Sequence, residues 1–490
     1  MAAMGITTGD RVAFWLPNTV AYVALYLACC RLGAIALAVN TRYRSVEVAD
    51  IVKRAGAKSL IMWPDFRNID FCGILKEIDV DALVGLEHII IYGEGEYDLS
   101  LPDNLDNVEV HDYQQMTAAP AMIDDFSAPE LGCNIFTTSG TTKAPKFVLH
   151  SQAGITDHGR DVVASIVSTL AGGGALLQAL PFCGVFGFTQ AIAALTGGYK
   201  MVVMNAFDPV AAVDAIDRYD VRYMNATDDM VEALLAADPR DHALPTVRFC
   251  GYGSFNTDPE EIIDKAEARG LKLVGLYGMS EVQALFSRQP EDLAKEDRML
   301  GGGKLLSPQA KVRVRDPDSD ELLPFGAQGE IELAGPSLML GYFENPAANA
   351  ETFTDDGFIR TGDMGYQVAE DRFVFLTRMG DVLRLSGFLV SPVEIETHIQ
   401  GVAGVSGCQV VGANIGGKSR AVAFVTMDAD GQFDEQTIRD HCLAGLAKFK
   451  SPVGIFQLEE FPTTASANGT KIQRAKLRQW AGEWMQEAGD

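Results

Sequence analysis

Thr137-Thr-Ser-Gly-Thr-Thr-Lys-Ala-Pro-Lys146 packs five hydroxyl residues, one glycine and two lysines into ten positions. Such a stretch offers hydroxyls, backbone N–H groups and ammonium charge to phosphate oxygens. It is not the G-x-x-x-x-G-K-[ST] loop, and Gly301-Gly-Gly-Lys-Leu305 also misses that pattern, at its last position. In a second cluster, Tyr277-Gly-Met-Ser-Glu281, the carboxylate of Glu281 is suited to holding a metal and Ser280 to donating to an oxyanion. A hydrolase elbow, G-x-S-x-G from Gly278, fails because residue 282 is Val. Further on, Arg360-Thr-Gly-Asp363 and Arg378-Met-Gly-Asp381 precede Leu385-Ser-Gly-Phe388 and Glu394-Ile-Glu396. A carboxylate such as Asp363 can accept both hydroxyls of a ribose. Late in the chain, Ser466-Ala-Asn-Gly-Thr-Lys-Ile-Gln-Arg474 sets Lys471 between a flexible loop and a basic helix. Taken singly, each segment also reads as a polar turn or a solvated helix start.

The elements that must position these residues alternate. From Gly9 to about Gln289, short apolar or β-branched runs (Ala13–Leu16, Ile35–Val39, Ser59–Met62, His88–Tyr92, Cys133–Thr137) alternate with longer helical stretches near 19–32 and 46–55. Further strands are expected at Ala175–Leu180, Lys200–Met204, Tyr223–Ala226, Arg248–Gly251 and Lys272–Leu276. This texture predicts α/β layers around parallel sheets, with ligands at the carboxyl ends of the strands. After Gly301 the segments shorten and alternate (Lys311–Arg315, Glu330–Leu333, Phe373–Leu376), which predicts antiparallel, barrel-like β structure. A break near Thr377–Asp381 precedes a final block of small-domain size. Strands near 407–411 and 420–426 and helices near 392–400, 434–448 and 472–486 are expected there.

The 490 residues suit two or three domains, and an apolar share of 47% fills more than one core. Acidic residues outnumber basic ones 66 to 40, for a net charge of −26. That field attracts neither nucleic acid nor an anionic membrane surface. The eight cysteines form no C-x-x-C pair and sit mostly in apolar runs, as reduced thiols of a cytoplasmic protein would. The uncharged run Val162–Tyr199 is broken by Gln178, Pro181 and Gly172-Gly-Gly174, so it reads as buried core rather than a membrane span.

Together the segments resemble the acyl-adenylate-forming superfamily, the AMP-dependent synthetases and ligases that include acyl-CoA synthetases. The Ser/Thr-rich loop, Y-G-x-[ST]-E, Gly329–Pro336 with Gly341-Tyr342, T-G-D, the Arg378 segment and the late lysine stand in the family order over nearly the whole chain. The resemblance implies an α/β fold: a large N-terminal domain (1–377) of two doubly wound sheets plus a β-barrel, and a small, mobile α+β domain (378–490). It implies ATP, Mg²⁺ and coenzyme A, and two steps, adenylation of a carboxylate with loss of pyrophosphate and then thioester formation. By the same resemblance, Thr138, Ser139, Gly140, Thr141, Thr142 and Lys146 cradle phosphates. Ser280 contacts the α-phosphate and Glu281 helps to hold Mg²⁺. Gly251, Tyr277 and Gly278 flank adenine, Asp363 and Arg378 bind ribose, and Lys471 reaches the reacting oxygens. Phe182, Cys183, Gly184, Cys250 and Gly253 line the acyl pocket. Gly380 is the hinge, and Ser386 and Gly387 approach the thioester tunnel.

Several positions depart from the pattern. Lys143 stands where the family has glycine, and Phe147 takes the glycine position after Lys146. Gly184 replaces the histidine of the aromatic-His segment, and S-G-K is stretched into Ser466–Lys471. Family members carry several dozen residues ahead of Gly9-Asp-Arg-Val12. The pocket segments contain no Lys, Arg or His, which predicts a hydrophobic acid, aliphatic or alicyclic, of medium or greater length. With no carrier domain after Asp490, a stand-alone acyl-CoA synthetase leads. A ligase serving a separate carrier protein and a non-catalytic nucleotide- or acyl-binding homologue are the alternatives. Homo-oligomerisation stays open; no nucleic acid and no integral membrane anchor is expected.

Overall fold

The structure, a computed structural model, describes residues 1–93, 105, 107–138, 145–253, 259–385, 388–390, 392–415, 418–446, 448, 450–466 and 469–487. Two compact units form, Met1–Ala310 with Ala334–Glu351, and Lys311–Leu333 with Thr352–Asp490.

The first unit carries two sheets. In the first, β1 (Arg11–Trp15), β2 (Ile35–Ala38), β3 (Ala57–Met62), β4 (His88–Ile91), β5 (Glu109–Asp112), β6 (Gly132–Thr137) and β7 (Phe147–Ser151) are joined by the short strand Gly341–Tyr342. Their order is Gly341–Tyr342, β7, β6, β2, β1, β3, β4, β5. Pairing is parallel from β6 through β5, and antiparallel where β7 meets β6 and Gly341–Tyr342. Alternate residues of a strand point to opposite faces. Accordingly Val12 and Phe14 pack with the helix Val20–Leu32, while Ala13 and Trp15 pack with the helix Ser45–Ala55. Both faces are covered, which is why these strands are almost wholly apolar.

The second sheet contains β8 (Ala175–Gln178), β9 (Lys200–Val203), β10 (Val221–Thr227), β11 (Phe249–Gly253), β12 (Leu273–Tyr277), β13 (Ser287–Arg288) and β14 (Gly302–Leu305). Within this unit their order is β9, β8, β10, β11, β12, β13, β14, parallel as far as β12. The uncharged run becomes the helix Val185–Gly197, ten of whose residues are buried. Ala191 and Ile192 join the core of the first sheet and Ala194 that of the second, so the helix is covered on two sides as far as Ala194, while its last turn is exposed. Among the described residues no helix is long and apolar enough to cross a membrane. All eight cysteines are free thiols.

In the second unit, Lys311–Arg315, Gln328–Ala334, Ile359–Ala369 and Arg372–Arg378 follow one another as the antiparallel texture predicts. Beyond them, Val405–Ile415 pairs antiparallel with Lys418–Met427, which pairs parallel with Gly454–Gln457. One face of this small sheet packs on helices Pro392–Gln400 and Glu435–Gly445, the other on Arg474–Glu487. Buried Glu396 pairs with Arg474 at 2.9 Å and accepts the Val410 N–H at 2.7 Å, fastening the last helix to the sheet. Lys471, expected between a loop and a helix, lies on a strand: Gly469–Ile472 pairs with Thr463–Ser466, setting Lys471 opposite Thr464.

Candidate active site

Three separated motifs of the first unit meet in space. Thr138 and Lys146 close the neck of the loop between β6 and β7 by two hydrogen bonds, at 3.0 and 3.1 Å. The Lys146 ammonium sits 4.3 Å from the centroid of the Tyr342 ring. The hydroxyl of Tyr342 in turn donates to Glu281 Oε1 at 2.8 Å. Tyr342 is placed there by its pairing with Val148 of β7, and Glu281 by a bond from the Met339 N–H to its own carbonyl at 2.8 Å. A cation, a phenol and a carboxylate thus line one locus at the neck formed by Thr138 and Lys146. Ser139, Gly140, Thr141, Thr142 and Lys143 lie outside the described residues.

The Tyr277–Glu281 segment leaves the end of β12 and makes a short 3-10 turn, Ser280–Val282. Gln283, Ala284 and Leu285 follow with φ of 62°, 49° and 40°, three consecutive non-glycine residues in the left-handed region. Strain of this kind, about 1–3 kcal/mol per residue, persists only where neighbours impose it. The neighbours are identifiable. A Cβ on Gly278 would come within 2.5 Å of Ala284 Cα, so only glycine lets the loop close on itself. His150 donates from Nε2 to the Ser280 carbonyl at 2.7 Å, His158 to the Ala284 carbonyl at 2.9 Å, and Thr189 to the Gln283 carbonyl at 2.6 Å. Burial pushes both imidazoles down to about 4, so they are neutral and each Nε2 carries the donated proton.

Around the expected acyl pocket, Asn18 clamps the segment after β8: its amide donates to the Leu180 carbonyl at 2.9 Å and accepts the Phe182 N–H at 2.7 Å. A chain of buried amides continues the support. Gln178 donates to the Leu180 carbonyl at 2.7 Å, Gln190 donates to Gln178 at 3.1 Å, and Gln190 accepts the Asn225 N–H at 2.9 Å. Asn225 Nδ2 is buried with no hydrogen-bond partner among the described residues. Gly251 faces it, and a Cβ there would stand 2.3 Å from Asn225 Oδ1. Gly184 is the N-cap of helix Val185–Gly197, with φ −101° and ψ 135°. That is extended backbone open to any residue. Burial pushes the Cys183 thiol up to about 12, opposed in part by the nearby charge of Arg42.

Some expectations need correction. Phe182 packs against Tyr22 with the rings tilted by 53° and centroids 5.2 Å apart, and is 1% exposed, so it is part of the core under the segment. Cys250-Gly-Tyr-Gly253 is strand throughout, and alternation sends Cys250 and Tyr252 into the core with the helices Val231 and Ile262 occupy, on the face opposite Gly251 and Gly253. Tyr277 ends β12 and is largely buried. A cavity of about 750 Å³ beside β9, lined by Phe66, Arg67 and 200–206 among others, contains none of the expected site residues.

In the second unit, Asp363 and Arg378 face each other across paired strands, Arg378 Nε lying 3.0 Å from Asp363 Oδ1. Asp363 is 2% exposed and its N–H donates to Thr361 Oγ1, whereas the Arg378 side chain is 55% exposed. Gly380 lies in the 3-10 turn Met379–Asp381, its carbonyl accepting from Arg478 at 2.9 Å; Arg478 also pairs with Asp381. Ser386 and Gly387 lie outside the described residues. Asn18, His150, His158, Gln190 and Tyr342 escaped the sequence reading of side-chain roles; for Tyr342 alone the Gly341-Tyr342 motif was a signal.

Two layered α/β sheets, the Tyr277–Glu281 turn at the end of β12 and the convergence of Lys146, Tyr342 and Glu281 are the arrangement of an adenylate-forming enzyme. The family model for AMP-binding enzymes matches residues 1–343, and that for the AMP-binding enzyme C-terminal domain matches 394–468. The chain belongs to this family and is an ATP-dependent, AMP-forming ligase. It is 28% identical over 484 residues to the sulfoacetate–CoA ligase of Cupriavidus necator, covering 97% of this chain and 88% of that one. It is also 28% identical over 494 residues to the 3-[(3aS,4S,7aS)-7a-methyl-1,5-dioxo-octahydro-1H-inden-4-yl]propanoyl:CoA ligase of Mycobacterium tuberculosis, covering 97% and 90%. ATP-bound MatB from Rhodopseudomonas palustris superposes with a TM-score of 0.82 at 26% identity, covering 98% and 90%.

Proposed function

We propose that this ligase is an acyl-CoA synthetase for a hydrophobic carboxylic acid, aliphatic or alicyclic and of medium or greater length. A carboxylate oxygen attacks the α-phosphorus of ATP, the bond to the bridging oxygen breaks and pyrophosphate leaves. The thiol of coenzyme A, losing its proton, then attacks the acyl carbon and AMP leaves. The observation behind this reading is the convergence of Lys146, Tyr342 and Glu281. Lys146 and the loop hydroxyls meet phosphate charge, Ser280 meets the α-phosphate, and Asp363 with Arg378 takes the ribose. Glu281 is a hard oxygen donor of the kind Mg²⁺ uses beside substrate phosphates, where the ion neutralises charge. Lys471 serves adenylation and withdraws for thioester formation, as the domain 378–490 turns about Gly380. A preorganised set of donors at developing charge is the main source of rate in such a site.

The acid is argued from the absence of Lys, Arg and His in residues 182–186, 224–226, 250–253 and 278–282, and from Gly184, an N-cap with extended backbone that any residue could adopt. Space in place of a side chain fits a longer apolar acyl group, each buried methylene contributing about 0.8 kcal/mol. By its name the Mycobacterium tuberculosis relative acts on an alicyclic propanoate, a precedent of the same kind. By its name the Cupriavidus necator relative acts on sulfoacetate, a short acid with a second negative group, and such an acid is the second reading. Measuring kcat/KM for acetate, hexanoate, decanoate, cyclohexanecarboxylate, benzoate and sulfoacetate decides. A maximum at decanoate or cyclohexanecarboxylate supports the proposal; a maximum at acetate, benzoate or sulfoacetate overturns it. Running each acid with CoA and with a carrier protein tests the acceptor.

A further inference from the structure

Three side chains outside the adenylation site converge on the edge of the first sheet. β4 and β5 run parallel with His88 opposite Glu109 and Ile90 opposite His111. Glu109 and His111 are two residues apart, so they and His88 project from the same face. His88 Nδ1 lies 3.1 Å from His111 Nε2 and 3.6 Å from Glu109 Oε2, and His111 Nε2 lies 3.7 Å from the same oxygen. The point equidistant from these three atoms is about 2.0 Å from each, the bond length of zinc to imidazole nitrogen and carboxylate oxygen. Donors separated in this way also select the geometry. The equidistant point lies in the plane of the three donors; an ion drawn about 0.7 Å out of it toward a solvent ligand would stand about 2.1 Å from each. Donors about 3.5 Å apart on average suit a tetrahedral ion rather than an octahedral one, which needs about 2.9 Å.

A hydrogen bond between the two imidazoles would account for the 3.1 Å contact alone. It leaves the rest unexplained. His88 is 6% exposed, and its Nε2 is buried without a hydrogen-bond partner, facing Glu87 Oε2 at 3.8 Å. Ligation through Nδ1 gives that arrangement a purpose, because a ligating histidine characteristically turns its other N–H toward a carboxylate. Glu87 is shared with the Lys58 ammonium, 3.7 Å away.

We infer that His88, Glu109 and His111 form a zinc-class divalent-metal site, completed by solvent, that clamps edge strand β5 to β4. The site uses none of the adenylation residues, so its failure would leave the proposed function standing. The test uses the full chain, stripped with a chelator and titrated with ZnCl₂ by calorimetry, with Co²⁺ absorption as a second readout. The wild type should take up one zinc that His111→Ala and Glu109→Gln lose, show the visible bands of four-coordinate cobalt, and melt at a higher temperature with zinc. Both variants lie on the accessible edge, which avoids truncating buried His88. Glu87→Gln should weaken binding by about 10–100-fold. Absence of zinc uptake by the wild type, or equal affinity in His111→Ala, would overturn the inference.

Discussion

Replacing Tyr342 by Phe removes one oxygen from the site and leaves the rest standing. The ring stays 4.3 Å from Lys146, and the backbone pairing with β7 does not involve the hydroxyl. What is lost is the 2.8 Å bond from that hydroxyl to Glu281 Oε1, in a place where Glu281 is only 7% exposed. A hydrogen bond to a carboxylate with so little solvent to replace it is worth about 1.5–3 kcal/mol. At about 1.4 kcal/mol per factor of ten, adenylation should fall roughly 10- to 150-fold if the bond fixes Glu281 for catalysis. Acid-dependent exchange of labelled pyrophosphate into ATP reads that step alone, and a thermal melt checks the fold. An unchanged exchange rate in a folded variant would refute the reasoning, because Glu281 would then need no fixing.

Lys471→Ala should lower adenylation by about 10²–10³-fold while thioester formation from supplied acyl-AMP is largely kept; equal losses in the two half-reactions would remove Lys471 from its role. Gly184→His should be tolerated by the extended backbone and shift the preferred acid to shorter chains, measured as kcat/KM across the acid panel; an unchanged profile would show that residue 184 does not face the acyl group. Acid should destabilise the fold through His150 and His158. Each is held near 4 against an ordinary 6.5, so the unfolded chain binds more protons between these values, and stability present above about 6.5 is lost as pH falls through 4. The loss is roughly 3 kcal/mol per histidine once pH is below both values, and melting temperatures at pH 7 and pH 5 check its direction.

The strands were legible because a parallel sheet buried on both faces writes itself as apolar runs, as Ile35–Ala38 and Ala175–Gln178 do. Tyr277-Gly-Met-Ser-Glu281 was legible as a site because unusual residue types stand together at a strand end. Its supports were not. His150 and His158 are single residues far in sequence from the carbonyls they hold, and a lone buried histidine leaves no periodic trace. Gln178, Gln190 and Asn225 sit inside apolar runs, where their pairing depends on β8, β10 and the helix Val185–Gly197 coming together. Cys250 was assigned to the pocket by resemblance alone; on the strand Phe249–Gly253 alternate residues part company and the thiol goes to the core. The strand bearing Lys471 was missed because Ser466-Ala-Asn-Gly-Thr resembles a loop in composition, while its pairing with Thr463–Ser466 is set by geometry.

The most direct test of the whole account is a product balance for the purified protein given ATP, Mg²⁺, a hydrophobic acid and coenzyme A. The account predicts pyrophosphate release that depends on the acid, with AMP and acyl-CoA appearing in equal amounts once the thiol is present. Nucleotide turnover that ignores the acid, or that ends in ADP and inorganic phosphate, would contradict it.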